Sequence, residues 1–151
     1  MVNFSSSARF KIESSIRRSD SILRSEAKLA FISLEIENYY ENKEYKKAQK
    51  LLKEFSKKEI FYYWYRIKKE AQIIAKQKSK KESLQYITLQ FEKIKNPNKK
   101  LLYDLANFYR NSKEYKKAIK YYTLIIDTLD DSSEIKTDLL YRRGGSYERI
   151  G

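Results

Sequence analysis

The 151-residue sequence predicts an all-α protein, a solenoid built from antiparallel helix pairs. Three observations carry this. The hexapeptide KEYKKA occurs twice, ending at Ala48 and at Ala118, and 118 − 48 = 70 is two periods of 35. A fixed period in this range marks a repeat architecture. Apolar residues recur three and four apart, the spacing of one helix face. Turn-prone residues then interrupt the stripes at Asn111-Ser112-Lys113 and at Asn96-Pro97-Asn98, so a period divides into two helices. The length suits one domain with a real core.

Residues 1–25 are Ser-rich from Ser5 to Ser25. In the same register Phe10 aligns with Tyr45 (45 − 35 = 10), with Glu13 standing where Ala is expected. Phe10, Ile12, Ile16, Ile22 and Leu23 then read as a closing helix of a degenerate copy; the competing reading is a flexible lead-in. Residues 26–151 hold the array itself, about three helix pairs and the first helix of a fourth.

The first copy contains NYYENKEYKKAQKLLKEF, residues 38–55, and the third contains NFYRNSKEYKKAIKYYTL, residues 107–124. Ile36, Ala71 and Ala106 are each 35 apart, as are Tyr39, Ile74 and Tyr109. Ser83 stands midway between Ala48 and Ala118. The second copy departs at Lys80, where the others have Tyr, so its turn is the one the pattern defines least. In the third copy one stripe is Leu101, Leu102, Leu105, Phe108 and Tyr109. The next is Tyr115, Ala118, Ile119, Tyr122, Ile125 and Ile126. Pro97 closes the second copy, because proline cannot continue a helix and restricts the residue before it. Asp130-Asp131-Ser132-Ser133 closes the third, and its last residues are expected to cap the next helix. LLYRRGGSYERIG, residues 139–151, opens a fourth copy with Gly144 at the small-residue site, 38 residues after Ala106 (144 − 106). Leu140, Tyr147 and Ile150 there are expected to lack a partner helix, and the chain is expected to be a piece of a longer protein.

This pattern resembles the tetratricopeptide repeat (TPR), whose period is about 34 residues. Leu105, Ala106, Tyr109, Tyr115, Ala118 and Tyr122 match its signature positions in the third copy. Tyr39, Tyr45, Ala48 and Leu52 match in the first, with Ile36 where a small residue is usual. Ala71 and Ser83 match in the second. The resemblance covers roughly residues 26–151 and implies a right-handed α-solenoid. Small residues at the two alanine sites let paired helices approach, and the larger ones fill the seam. The phrase at residues 141–149, with KEYKKAIKYY before it, is also similar to exported TPR proteins of alphaproteobacteria. That implies a periplasmic whole protein whose leader lies outside this piece, and a cytoplasmic one otherwise; MVNFSSSARF has no signal-peptide apolar core.

Composition excludes several chemistries. Cysteine and histidine are absent, which removes disulfides, thiol nucleophiles, zinc fingers and histidine triads. With three glycines there is no phosphate-cradling loop. No apolar run approaches the roughly 18 residues of a membrane span. Carboxylate pairs such as Asp130-Asp131 and Glu35/Glu37 have no nucleophile or metal ligand beside them, and Asp130-Asp131 suits a helix start. The expectations are therefore no enzyme activity, no metal, no cofactor and no membrane span. The hydrophobic fraction of 41% is too high for a disordered chain. Net charge is 33 − 20 = +13. Nucleic acid or an anionic surface is the partner such a charge suggests, but codon bias and solvated helix faces, as at Lys53-Glu54 and Lys81-Glu82, account for it as well.

The run Phe61-Tyr62-Tyr63-Trp64-Tyr65 suits either a stacking platform or a helix buried between neighbours. Consecutive helical residues point about 100° apart, so five rings cannot share one face, and core packing with one or two rings exposed is favoured. The TPR resemblance implies a concave groove lined by the first helix of each pair. It places Lys68, Gln72 and Lys76 there from the second copy, and Tyr103, Asn107, Arg110 and Asn111 from the third. Ser33, Glu37, Tyr40 and Glu41 are the first copy's set. The Lys-and-Asn clamp that chaperone-binding relatives use for a terminal carboxylate is not reproduced. The expected partner is another protein or a peptide, centred on Lys68, Gln72, Tyr103, Asn107, Arg110 and Asn111, and the competing reading is a merely solvated surface.

Overall fold

A computed structural model describes residues 6–56 and 58–151. The described residues form seven α-helices and no strand: α1 (Ser6–Glu41), α2 (Tyr45–Leu52), α3 (Ile60–Gln77), α4 (Lys80–Glu92), α5 (Lys99–Asn111), α6 (Tyr115–Ile126) and α7 (Glu134–Ile150). The protein is all-α. The chain divides into two compact units, Met1–Arg66 and Ile67–Gly151.

In the first unit, α1 and α2 pack together. Leu29 and Ile36 of α1, Ala48 and Leu52 of α2, and Phe55 beyond it are buried. The link between α1 and α2 is a helix-end motif with a left-handed residue, Lys43, at φ 61°. Its amide bonds the Tyr40 carbonyl at 3.0 Å and the Glu44 amide bonds the Tyr39 carbonyl at 2.8 Å. These bonds satisfy carbonyls that the helix end leaves free. The residue-25 boundary carries no turn. α1 runs unbroken from Ser6 to Glu41, and Phe10, Ile12, Ile16, Ile22 and Leu23 are exposed on it. Residues 1–5 of that segment lie outside the described residues.

The aromatic run opens α3. Tyr63 and Trp64 are buried, Tyr62 and Tyr65 half-buried, and Phe61 is exposed. Phe55 stacks on Tyr62 with centroids 5.4 Å apart and meets Tyr65 edge-on at 5.7 Å. The rings therefore close a core, as 100° spacing requires of consecutive residues.

In the second unit, α5 packs on α6 and α6 on α7. Ala106 and Ala118 are fully buried, one on each helix of the α5–α6 pair, among Leu105, Tyr109 and Tyr122. The α5–α6 link repeats the α1–α2 link seventy residues on (113 − 43). Lys113 has φ 64°, its amide bonds the Arg110 carbonyl at 3.0 Å, and the Glu114 amide bonds the Tyr109 carbonyl at 2.9 Å. The second copy solves its turn differently. Ser79 caps α4 by accepting the Glu82 amide at 3.1 Å. Ser83 is buried and donates its hydroxyl to the Ala71 carbonyl at 2.5 Å, so a polar residue serves at a small-residue site by finding a backbone acceptor.

Two expectations are corrected. Ser133 occupies the start of α7, but its side chain accepts no capping hydrogen bond. Asp131 instead pairs with Lys136 at 2.6 Å, an ion pair that ties the loop to the first turn of α7. Gly144 is exposed, and a Cβ there would meet nothing within 4 Å. α7 buries Leu139 and Ser146 against its neighbours instead, while Leu140, Tyr147 and Ile150 are exposed because no helix crosses that face among the described residues.

Candidate partner-binding face

α5 and α7 set polar side chains against each other at a spacing of one repeat. The Tyr103 hydroxyl donates to Asp138 Oδ2 at 3.1 Å, and Arg142 Nε donates to the same oxygen at 2.8 Å. The Arg142 guanidinium also lies over the Tyr103 ring, 5.6 Å from its centroid. Arg142 Nη1 reaches Asn107 Oδ1 at 3.4 Å, and that oxygen accepts the Tyr122 hydroxyl from α6 at 2.6 Å. Both interhelix steps are 35 residues, 138 − 103 and 142 − 107.

Charge follows this geometry. The hydrogen bond from Arg142, with a smaller one from Tyr103, holds the Asp138 carboxyl below the usual carboxylate range against the opposing cost of burial. Asp138 in turn raises Arg142. Burial pushes the Tyr122 hydroxyl up to about 12, while Arg110 and Arg142 pull it down. Arg110 thus stands close enough to act on both Tyr122 and Asp138, and its Nε is buried with no acceptor among the described residues.

Of the six residues expected at a groove, Tyr103, Asn107 and Arg110 converge here. Asn111, at the end of α5, is exposed. Lys68 Nζ is 2.8 Å from Asp104 Oδ2, and the other oxygen of that carboxylate, Oδ1, takes Lys100 at 3.3 Å; Lys68 is thereby held by α5. Gln72, one turn further along α3, is exposed. Asp138 and Arg142 were not singled out from sequence, and Tyr122 was read there as a core residue alone. Adding the 35-residue period to Tyr103 and Asn107 finds the first two. The first copy's set behaves alike: Glu37 Oε1 accepts the Tyr65 hydroxyl at 2.7 Å, and burial first, then that bond, raises Tyr65 above the ordinary tyrosine value.

Beside Tyr103 and Asp138 opens a half-enclosed cavity of about 380 Å³. Ile125, Leu129, Ile135 and Leu139 line it, together with Lys99 and Lys100. Among the described residues no group of three acidic, histidine or cysteine side chains is placed to hold a metal ion, and no helix is long and apolar enough to cross a membrane. Comparison with protein-family models, with curated proteins and with solved structures finds no match to this chain.

Proposed function

We propose that the chain is a protein-interaction scaffold of TPR type, a right-handed solenoid that binds a peptide or helix of a partner on the first-helix face of its repeats. The observation that carries this is the grouping of Tyr103, Asn107 and Arg110 with Asp138 and Arg142 on α5 and α7. An aromatic ring, an amide and two guanidiniums suit an extended backbone and its side chains. Their mutual bonds hold them in fixed rotamers before a partner arrives, which lowers the entropy lost on binding. The two identical helix-end motifs at Lys43 and Lys113 support the repeat register itself.

The test is a peptide-display selection on the intact chain, followed by titration of the selected peptides. The double variant Arg110→Ala/Asn111→Ala should weaken binding by about thirtyfold or more, since loss of an anchoring arginine costs about 2 kcal/mol or more. Equal affinity with an intact circular dichroism spectrum would sink the proposal. The net charge of +13 supports a second reading, a nucleic-acid or anionic-surface binder. Against it, exposed lysines in the second unit are spread over first helices (Lys76, Lys99), second helices (Lys81, Lys116, Lys120) and links (Lys78, Lys113) rather than gathered on one face. Titration with a labelled duplex and a single strand at near-physiological salt separates the two. Sequence-selective affinity of about 10⁻⁸ M or tighter would favour the second.

A further inference from the structure

α1 is long, yet it buries little. Of its 36 residues only Leu29 and Ile36 are buried. Its N-terminal half is rich in serine, a middling helix former, and an isolated helix of such composition is marginal in water. Something must cover it for the helix to persist.

The sequence of α1 says what. Ile12, Ile16, Leu23, Ala30 and Leu34 fall within an arc of about 40° at about 100° per residue. No other residue between 12 and 34 falls in that arc, so it holds no charge. All five are exposed, the four large ones between 45% and 67%. The spacing is symmetric about Leu23: 23 − 12 = 34 − 23 = 11, and 23 − 16 = 30 − 23 = 7. A stripe of this kind is complementary to itself when the second helix runs the opposite way. Ile12 then meets Leu34, Ile16 meets Ala30, and Leu23 meets its own copy on a two-fold axis, the arrangement of an isologous dimer. Eleven-residue steps (about 3.67 per turn) keep the stripe nearly straight over its length of about 33 Å.

Charge selects the same orientation. α1 carries six basic and six acidic residues, so it is neutral in a chain of +13. Residues 6–22 hold four basic and two acidic, +2; residues 24–41 hold two basic and four acidic, −2. Antiparallel pairing sets each positive half against a negative one, whereas parallel pairing opposes like charge. We infer that α1 is a self-association element, through which two copies of this chain pair antiparallel about Leu23. The inference concerns the first unit alone and does not rest on the partner-binding face of α5 and α7.

Because the chain has no cysteine, introduced thiols report the geometry directly. Sedimentation velocity should show a concentration-dependent dimer that Leu23→Asp abolishes. Under mild oxidation Leu23→Cys should crosslink at least about tenfold faster than Lys116→Cys, because paired thiols face each other at an effective concentration on the order of millimolar. Ile12→Cys and Leu34→Cys should crosslink when mixed and not singly. The cysteine variants decide the matter even where Leu23→Asp loosens α1. A monomer at all concentrations overturns the inference, as does Ile12→Cys crosslinking to itself or a Leu23→Cys rate equal to that of Lys116→Cys.

Discussion

Ala118 sits where the α5–α6 pair has no spare room. It is fully buried, as are Ala106 on the facing helix and Tyr122 one turn on. Replacing it with leucine inserts an isopropyl group that must displace one of these neighbours or push the helices apart. Overpacking of that kind costs about 1–3 kcal/mol. For a chain of this size each kcal/mol moves the melting midpoint by about 2–4 °C, so Ala118→Leu should melt about 2–12 °C below the parent. Thermal melting followed by helical ellipticity reads this. Lys116→Leu is the control, since it places the same side chain on the same helix at an exposed position. An unchanged midpoint for Ala118→Leu, or equal losses for both variants, would refute the small-residue register.

Lys43 and Lys113 hold left-handed backbone that glycine adopts without strain, so Lys43→Gly and Lys113→Gly should each stabilise by about 0.5–1 kcal/mol. Lys78, at the equivalent place in the second copy, is not left-handed, and Lys78→Gly should destabilise in the same melting series. Tyr122 titrates at about 12 in the folded state, against about 10 unfolded. Its contribution is complete below pH about 10 and is lost as pH rises through about 12. Tyr122→Phe should flatten stability against pH in that window, read by denaturant melts, while costing about 0.5–1.5 kcal/mol at neutral pH for the lost bond to Asn107. Asp138 works at the other end: its lowered carboxyl stabilises above the unfolded value near about 3.9 and loses that contribution as pH falls through the lower folded value. Asp138→Asn should remove part of the acid slope.

Helix α6 was legible as an element, because its apolar stripe from Tyr115 to Ile126 keeps one face after the turn-prone Asn111-Ser112-Lys113. The burial of Ala48, Ala71, Ser83, Ala106 and Ala118 was legible too, since a small side chain at a fixed period has one use between paired helices. The continuity of α1 was not. Nothing in residues 6–41 forces a break, and a 35-residue register carried upstream invites one where local propensity supplies none. Ser133 shows a related limit: sequence placed it at a helix start, but capping also needs its hydroxyl turned toward the first-turn amides, a rotamer that residue type alone does not fix. At the candidate face, the TPR resemblance pointed to Tyr103, Asn107 and Arg110, and helical spacing puts the three on one side of α5. Their partners Asp138 and Arg142 depend on which turn of α7 lies opposite which turn of α5; a single-helix pattern does not contain that, whereas the 35-residue period does.

In the proposed function a partner chain is held by α5 and α7. Amide chemical-shift mapping with a display-selected peptide tests it most directly. The largest shifts are expected at Tyr103, Asn107, Arg110, Asn111, Asp138 and Arg142, with loss of the effect in Arg110→Ala/Asn111→Ala. Shifts clustered instead along α4 or α6, with those six residues unmoved at saturation, would contradict it.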